Sequence, residues 1–329
     1  MREAERLKFF KHRMQSMVKI KKNIKVASLT TFGIGGVAKF FCVVKNVNDL
    51  KKALDFAHKN KLEVLILGGG SNILLPEKID DLVIKIDIKG IKFVDRGKYV
   101  LMSAGAGENW DRIVEKTVKK DLSGIENLSL IPGSVGAAVY QNIGAYGAEL
   151  KNVLLKAVVF DTKTDKVKIL KNKECKFGYR DSVFQHKDNL IILDVMLKLN
   201  KKFKPNVSYV DLANCFKNKK PSLSELRTVV IKIRKNKFLY PDKLSNAGSF
   251  FKNPIISGRK VSAAQLIEKA GWKGRRLGRV GVSPTHSLVI VNYGGARASE
   301  VINLASKIQR DVFKKFGIKL EPEVKIVKP

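Results

Sequence analysis

Glycine placement constrains this chain more than any other feature. Three glycines fall within four positions at Gly33, Gly35 and Gly36, three more are consecutive at Gly68, Gly69 and Gly70, and five lie in the sparsely charged stretch 124–150. Such clusters let a backbone approach another backbone or a ligand closely, because no Cβ stands in the way. Between the first two clusters the pattern is that of a βαβ unit. A strand ends at Cys42, and a helix capped at or near Asn48 runs through Lys59 with Leu50, Ala53, Leu54 and Ala57 on one face; a short buried strand follows at 64–67. The LGGGSN that closes the unit (67–72) offers successive N–H groups as a nest for a diphosphate. Its spacing is neither G-x-G-x-x-G nor a Walker loop, which excludes both standard nucleotide fingerprints.

Further strands are expected at 81–86, 91–94 and 99–103, then a helix whose Trp110, Ile113, Val114 and Val118 form one core-facing stripe. The stretch 124–150 is too apolar to be a surface loop and is expected to be buried. Within it, Pro132, Gly133, Ser134, Gly136 and Ala137 suit a clamp on a flat ring or a phosphate chain, and equally a tightly packed helix N-terminus. Ser222 and Glu225 form a capping box for a helix with Leu226, Val229, Val230 and Ile233 inward; Ser262 and Gln265 open another, stopped at Gly271. A strand pair over 278–292 and a long packing helix closed by Gly317 complete the pattern.

The densest chemistry lies at 246–254, NAGSFFKNP, where a glycine-flanked serine, a lysine and an asparagine adjoin two phenylalanines. A Gly-Ser turn entering an edge strand that ends at Pro254 is the plain alternative.

Composition narrows the function. The chain has 329 residues and a formal charge of +34, but 50 of its 64 basic residues are lysines spread over all elements, without an arginine-rich arm or zinc-ligand spacing. The excess reads as a compositional bias laid over a fold; nucleic-acid binding is the alternative from another class. Cys42, Cys175 and Cys215 are widely separated and point to neither a disulfide framework nor a metal site, which fits a reducing cytoplasm. No apolar run has the length of a membrane span, and residues 1–23 read as a basic extension, a docking helix or tail, without a signal-peptide core.

Taken in order, TTFGIGG (30–36), LGGGSN, IPGSVGAA (131–138) with QNIGAYGAEL (141–150), FGYRDS (177–182), NAGSFFKNP and LEPEV (320–324) resemble the UDP-N-acetylenolpyruvoylglucosamine reductase (MurB) family over nearly everything after residue 23. The resemblance implies an α+β protein: a vanillyl-alcohol-oxidase/PCMH-type FAD-binding domain over 24–203, then a smaller α/β substrate-binding domain over 204–329, whose last strand returns Glu323 to the site. It implies non-covalent FAD, held by Gly68, Gly69, Gly70, Ser71, Asn72, Pro132, Gly133, Ser134, Gly136 and Ala137. NADPH would reduce the flavin, and the UDP-linked enolpyruvyl amino sugar would then be reduced to UDP-N-acetylmuramate. The missing Rossmann fingerprint agrees with both anionic substrates using one site.

By the same resemblance Ser249 is the general acid and Glu323 the catalytic glutamate, with Glu321 at a more peripheral position. Arg180 is the clamp on the enolate carboxylate; a guanidinium makes two parallel bonds to a carboxylate and stays charged. From the residues alone, Arg180 is as readily a structural ion-pair partner of Asp181 or another acid. Tyr179, Tyr209, Lys237 and Asn253 match substrate contacts, Tyr209 on a loop that closes as a lid, and His286 falls where some relatives carry glutamine. A cytoplasmic monomer without membrane or nucleic-acid partners is expected. Another FAD oxidoreductase of the same cofactor class is the nearest chemical alternative.

Overall fold

The computed structural model describes residues 18–217, 219–237 and 244–328; the remainder of the basic extension, 1–17, lies outside them. The chain forms two compact units. Of the described residues, one takes 18–24, 39–69 and 80–228, and the other takes 25–38, 70–79 and those from 229 onward. This grouping differs from the contiguous division expected at 203/204. The physical cause is a set of long-range bonds: Thr31 exchanges backbone and side-chain hydrogen bonds with Asn246, Asn292 donates to the Phe32 carbonyl at 3.0 Å, and strand Ile73–Leu74 pairs with Lys325–Ile326.

In the first unit a four-stranded sheet runs in the order Lys21–Lys25, Val37–Val44, Lys78–Ile86, Val64–Leu67. The last two strands are parallel, with Leu67 opposite Lys85. The expected strand–helix–strand unit is present, with a third strand inserted between its two. Its helix, Val47–Lys59, is capped by Asn46 rather than Asn48: the Asn46 oxygen accepts the Asp49 N–H at 2.9 Å, while the Asp49 carboxylate accepts from the Asn46 amide at 3.0 Å. The second sheet is antiparallel, in the order Lys166–Lys171, Leu154–Asp161, Leu190–Asn200, Tyr99–Gly105, Ile91–Asp95. Helix Trp110–Val118 buries the expected stripe in the core beneath, and the Trp110 indole donates to the Leu128 carbonyl at 2.9 Å. The stretch 124–150 is mostly buried around the short helix Val135–Tyr140.

In the second unit the sheet order is Ser245–Ser249, Val289–Asn292, Val280–Val282, Arg276–Leu277. Helices Ala263–Lys269 and Ala298–Phe316 contribute Leu266, Ile267, Val301, Leu304, Ile308 and Val312 to a core with Phe32, Phe250, Phe251 and Trp272. Gly317 ends the long helix with φ +68°, a left-handed cap that L-residues resist.

Among the described residues no helix is long and apolar enough to cross a membrane. Cys42 and Cys175 are buried and burial pushes their thiols up to about 12, while Cys215 is exposed.

Candidate active site

The glycine cradle of the first unit is built by close approach. A methyl group placed on Gly68 would lie 3.0 Å from the Ser134 hydroxyl and 3.1 Å from the Ala137 Cβ, and one on Gly69 would lie 2.6 Å from the Ser134 nitrogen, inside the backbone of Gly133. Gly136 in turn packs against Ala106, where an added Cβ would sit 2.8 Å from that methyl. The expected residues Gly68, Gly69, Pro132, Gly133, Ser134, Gly136 and Ala137 therefore belong to one unit, with loop 68–69 laid on the start of helix Val135–Tyr140. Ser134 occupies the cap position but makes no capping bond. Its hydroxyl is the one buried side-chain polar atom without a partner among the described residues. A buried hydroxyl left unpaired is costly, which leaves it able to take a ligand's acceptor.

Arg180 lies in the same unit on a tight turn closed by the Gly178 N–H donating to the Asp181 carbonyl at 3.0 Å. Its φ of +54° is unusual for a residue with a side chain and is held by the Gln185 amide, which donates to the Arg180 carbonyl at 3.0 Å. The guanidinium donates to the Gly144 carbonyl at 2.6 Å and stacks 5.4 Å from the Tyr179 ring centroid. Asp181 meets His186, whose Nε2 is 2.8 Å from its carboxylate. Burial would raise the Glu149 carboxyl, but the Lys151 ammonium, the Asn142 amide and Arg180 outweigh it and hold the group below its usual value. Tyr209 caps helix Val210–Phe216, packs edge-on against Tyr146 at 5.3 Å and is 42% exposed.

The second unit brings the remaining expected residues together. Ser249 ends strand Ser245–Ser249 opposite Val289. On its other side the chain 320–324 runs alongside: the Lys252 N–H donates to the Glu321 carbonyl at 2.9 Å and the Glu323 N–H to the Phe250 carbonyl at 2.7 Å. Glu323 is thus one strand away from Ser249. Its own carbonyl accepts the Asn72 amide at 3.0 Å, which ties the end of the glycine loop, Gly70, Ser71 and Asn72, to the same sheet edge. Across the strand, the Val289 N–H donates to the His286 carbonyl at 2.9 Å.

His286 accepts the Leu288 N–H at Nδ1, 3.3 Å, which fixes the tautomer with the proton on Nε2. Burial, helped by the charges of Lys237 and Lys273, pushes the imidazole down to about 4. It is therefore a neutral N–H donor near pH 7, the property it shares with a glutamine amide. Lys237 ends helix Leu223–Lys237, and its carbonyl accepts the Thr285 hydroxyl beside His286 at 3.2 Å. Asn253 uses its oxygen to accept the Ala263 N–H at 2.9 Å, which orients its amide nitrogen as the remaining donor.

Two residues that matter here carried no sequence signal of their own. Thr31 donates its N–H to the Gly70 carbonyl at 3.0 Å and its hydroxyl to the Asn246 carbonyl at 2.7 Å, joining the glycine loop to the serine strand. Lys85, a cation among Leu82, Val83, Ile84 and Ile86 in its strand, donates to the Gly68 carbonyl.

Comparison with known proteins places the chain in a family. A family described as UDP-N-acetylenolpyruvoylglucosamine reductase, C-terminal domain, matches residues 240–327, and an FAD binding domain matches 38–169. The UDP-N-acetylenolpyruvoylglucosamine reductase of Flavobacterium johnsoniae is 41% identical over 94% of this chain and 100% of its own length. That of Pseudomonas aeruginosa is 38% identical over 93% and 98%. Among solved structures, the reductase (MurB) from Thermus caldophilus superposes with a TM-score of 0.72 at 28% identity, over 95% of this chain and 100% of its own. The expected α+β class with an FAD-binding domain holds, and the chain belongs to the UDP-N-acetylenolpyruvoylglucosamine reductase family of FAD-binding oxidoreductases.

Proposed function

We propose that this chain catalyses the NADPH-dependent reduction of UDP-N-acetylenolpyruvoylglucosamine to UDP-N-acetylmuramate, a step in making peptidoglycan precursors. The observation that carries the reading is that Ser249 and Glu323 lie on neighbouring segments joined by the Glu323 N–H to the Phe250 carbonyl, with Asn72 of the glycine loop bonded to the Glu323 backbone. The residues fit FAD: a cradle that any Cβ would fill at Gly69, beside a buried hydroxyl with no partner at Ser134. Gly68, Gly69, Gly133 and Ser134 would hold its diphosphate, with Gly70, Ser71 and Asn72 continuing the loop. When bound, FAD supplies the two-electron relay between NADPH and the enolpyruvyl methylene, which becomes a methyl group.

That reduction leaves negative charge on the adjacent carbon and its carboxylate. Arg180 takes the carboxylate through its forked donors, and Ser249 gives its hydroxyl proton to the carbanionic carbon, completing the lactyl ether. A serine is a weak acid, so it depends on neighbours. Glu323 would share its proton with the carboxylate, while Arg180 would lower the charge that must be neutralised. Lys237, Asn253 and Tyr209 offer donors to the UDP diphosphate, and His286 adds a neutral N–H at working pH. The lysine-rich surface raises the local concentration of both anionic substrates.

The test separates the half-reactions. Under anaerobic conditions the flavin's visible band should bleach with NADPH and return on addition of the enolpyruvyl sugar nucleotide. Ser249→Ala should bleach at nearly the wild-type rate and reoxidise about 10² to 10⁴-fold more slowly. Equal loss in both phases would remove Ser249 from the proton-donor role, and a band that never returns with this sugar would overturn the substrate.

A further inference from the structure

Strand Lys78–Ile86 places one ammonium against the back of the glycine loop. Lys85 stands opposite Leu67 in the parallel pair, and its Nζ donates to the carbonyl of the next residue, Gly68. In a trans peptide the carbonyl and the following N–H point in opposite directions. Holding the Gly68 carbonyl toward Lys85 therefore turns the Gly69 N–H away from the sheet. Four residues on, Lys89 donates to the Gly107 carbonyl, and Asp87 between the two lysines lies 3.0 Å from the Lys89 ammonium. Gly107 packs so closely on Asp87 that a Cβ would lie 2.6 Å from its Cα, and the adjoining Ala106 packs on Gly136. The two lysines thus grip the two loops that meet at the start of helix Val135–Tyr140. Burial holds the Lys85 amine below its ordinary value, partly offset by Asp87 and reinforced by Lys89.

We propose that Lys85 is a positioning residue for the diphosphate of the flavin: it fixes the Gly68–Gly69 peptide so that its N–H faces the anion, and it sets a positive charge behind that peptide. The proposal rests on the reading of this loop as the diphosphate cradle. A merely structural lysine would stabilise the protein equally with and without cofactor; a positioning lysine acts on FAD affinity.

The experiment measures FAD affinity by titrating apoprotein, together with the melting temperature of that apoprotein, for wild type, Lys85→Met, Lys85→Arg and Ser134→Ala. Lys85→Met should weaken FAD roughly ten- to hundredfold, as loss of a hydrogen bond from a charged group does. Its apoprotein should melt close to wild type, and Lys85→Arg should recover most of the affinity. Ser134→Ala should also weaken FAD, with no loss of apoprotein stability, because its hydroxyl has no partner there. If Ser134→Ala weakens FAD and Lys85→Met does not, the role of Lys85 falls and the cradle stands. If neither changes affinity, the cradle reading itself falls. A drop in apoprotein melting for Lys85→Met that matches the drop for holoprotein, without rescue by arginine, would make the lysine structural only and overturn the proposal.

Discussion

The cradle at Gly68 and Gly69 is formed by omitting side chains, whereas the sheet edge at Ser249 is formed by supplying them. In the first region three loops meet at distances that exclude a Cβ, and the chemistry is left to N–H groups, one hydroxyl and two lysines gripping carbonyls from behind. In the second, the strand pairs with Val289–Asn292 through a register irregularity between Asn246 and Ser249, and the side chains of Ser249, Glu323, Asn253 and His286 are the specific elements. The difference follows from the tasks proposed for them. A diphosphate is bound well by many aligned dipoles at close range. Protonating one carbon needs one donor correctly aimed.

The sharpest way to break this comparison is to put a side chain where one is missing. Gly69→Ala would drive a methyl into the Gly133 backbone, which cannot yield as a flexible side chain does. FAD affinity should fall by more than about a hundredfold, the cost of losing several positioned donors together. Apoprotein titration with FAD checks it, and near-normal binding would mean the cradle is not where the cofactor sits.

His286 sharpens the other side of the comparison, because its imidazole is held near 4, well below the ordinary 6.5. The unfolded chain therefore takes up this proton first as pH falls. The stability linked to His286 is fully present above about pH 6.5 and is lost as the pH drops toward 4, by roughly 2–3 kcal/mol in total. His286→Gln should leave substrate affinity near wild type at neutral pH, since one neutral donor replaces another. It should also flatten the fall in melting temperature across that window. A variant that melts with the wild-type pH profile would show that the histidine is not held neutral by its surroundings.

The two regions also differed in how much the sequence revealed. Elements with periodic patterns were readable: the Trp110 stripe, the Ser222–Glu225 capping box and the helix closed by Gly317 form as expected, and Ser262 caps its helix by accepting the Gln265 N–H. The glycine runs and the clustered Ser-Lys-Asn peptide also stood out, because they are uncommon combinations. What stayed hidden was the grouping of 25–38 and 70–79 with the C-terminal half. It depends on bonds such as Thr31 to Asn246, 215 residues apart, and no local propensity encodes those. The cap at Asn46 was displaced by two residues for a similar reason: two asparagines are equivalent in sequence until the position of Asp49 selects one. Lys85 escaped notice because one lysine among 50 carries no signal until its carbonyl partner is seen.

Thr31 joins the two kinds of construction, so it offers the smallest and most discriminating perturbation. Its N–H belongs to the backbone and keeps the bond to the Gly70 carbonyl whatever the side chain, whereas its hydroxyl alone makes the 2.7 Å bond to Asn246. Thr31→Val preserves shape and removes only that hydroxyl. The loss of one half-buried hydrogen bond should cost about 1 kcal/mol, a fall of roughly 4 °C in melting temperature for a unit of this size. FAD affinity should hardly change, while reoxidation by the enolpyruvyl sugar nucleotide should slow several-fold as the Asn246–Ser249 strand loosens. Thr31→Ser, which restores the hydroxyl, should recover the rate. If Thr31→Val instead loosens FAD and leaves reoxidation intact, the residue serves the glycine loop alone, and the two regions are less independent than their different construction implies.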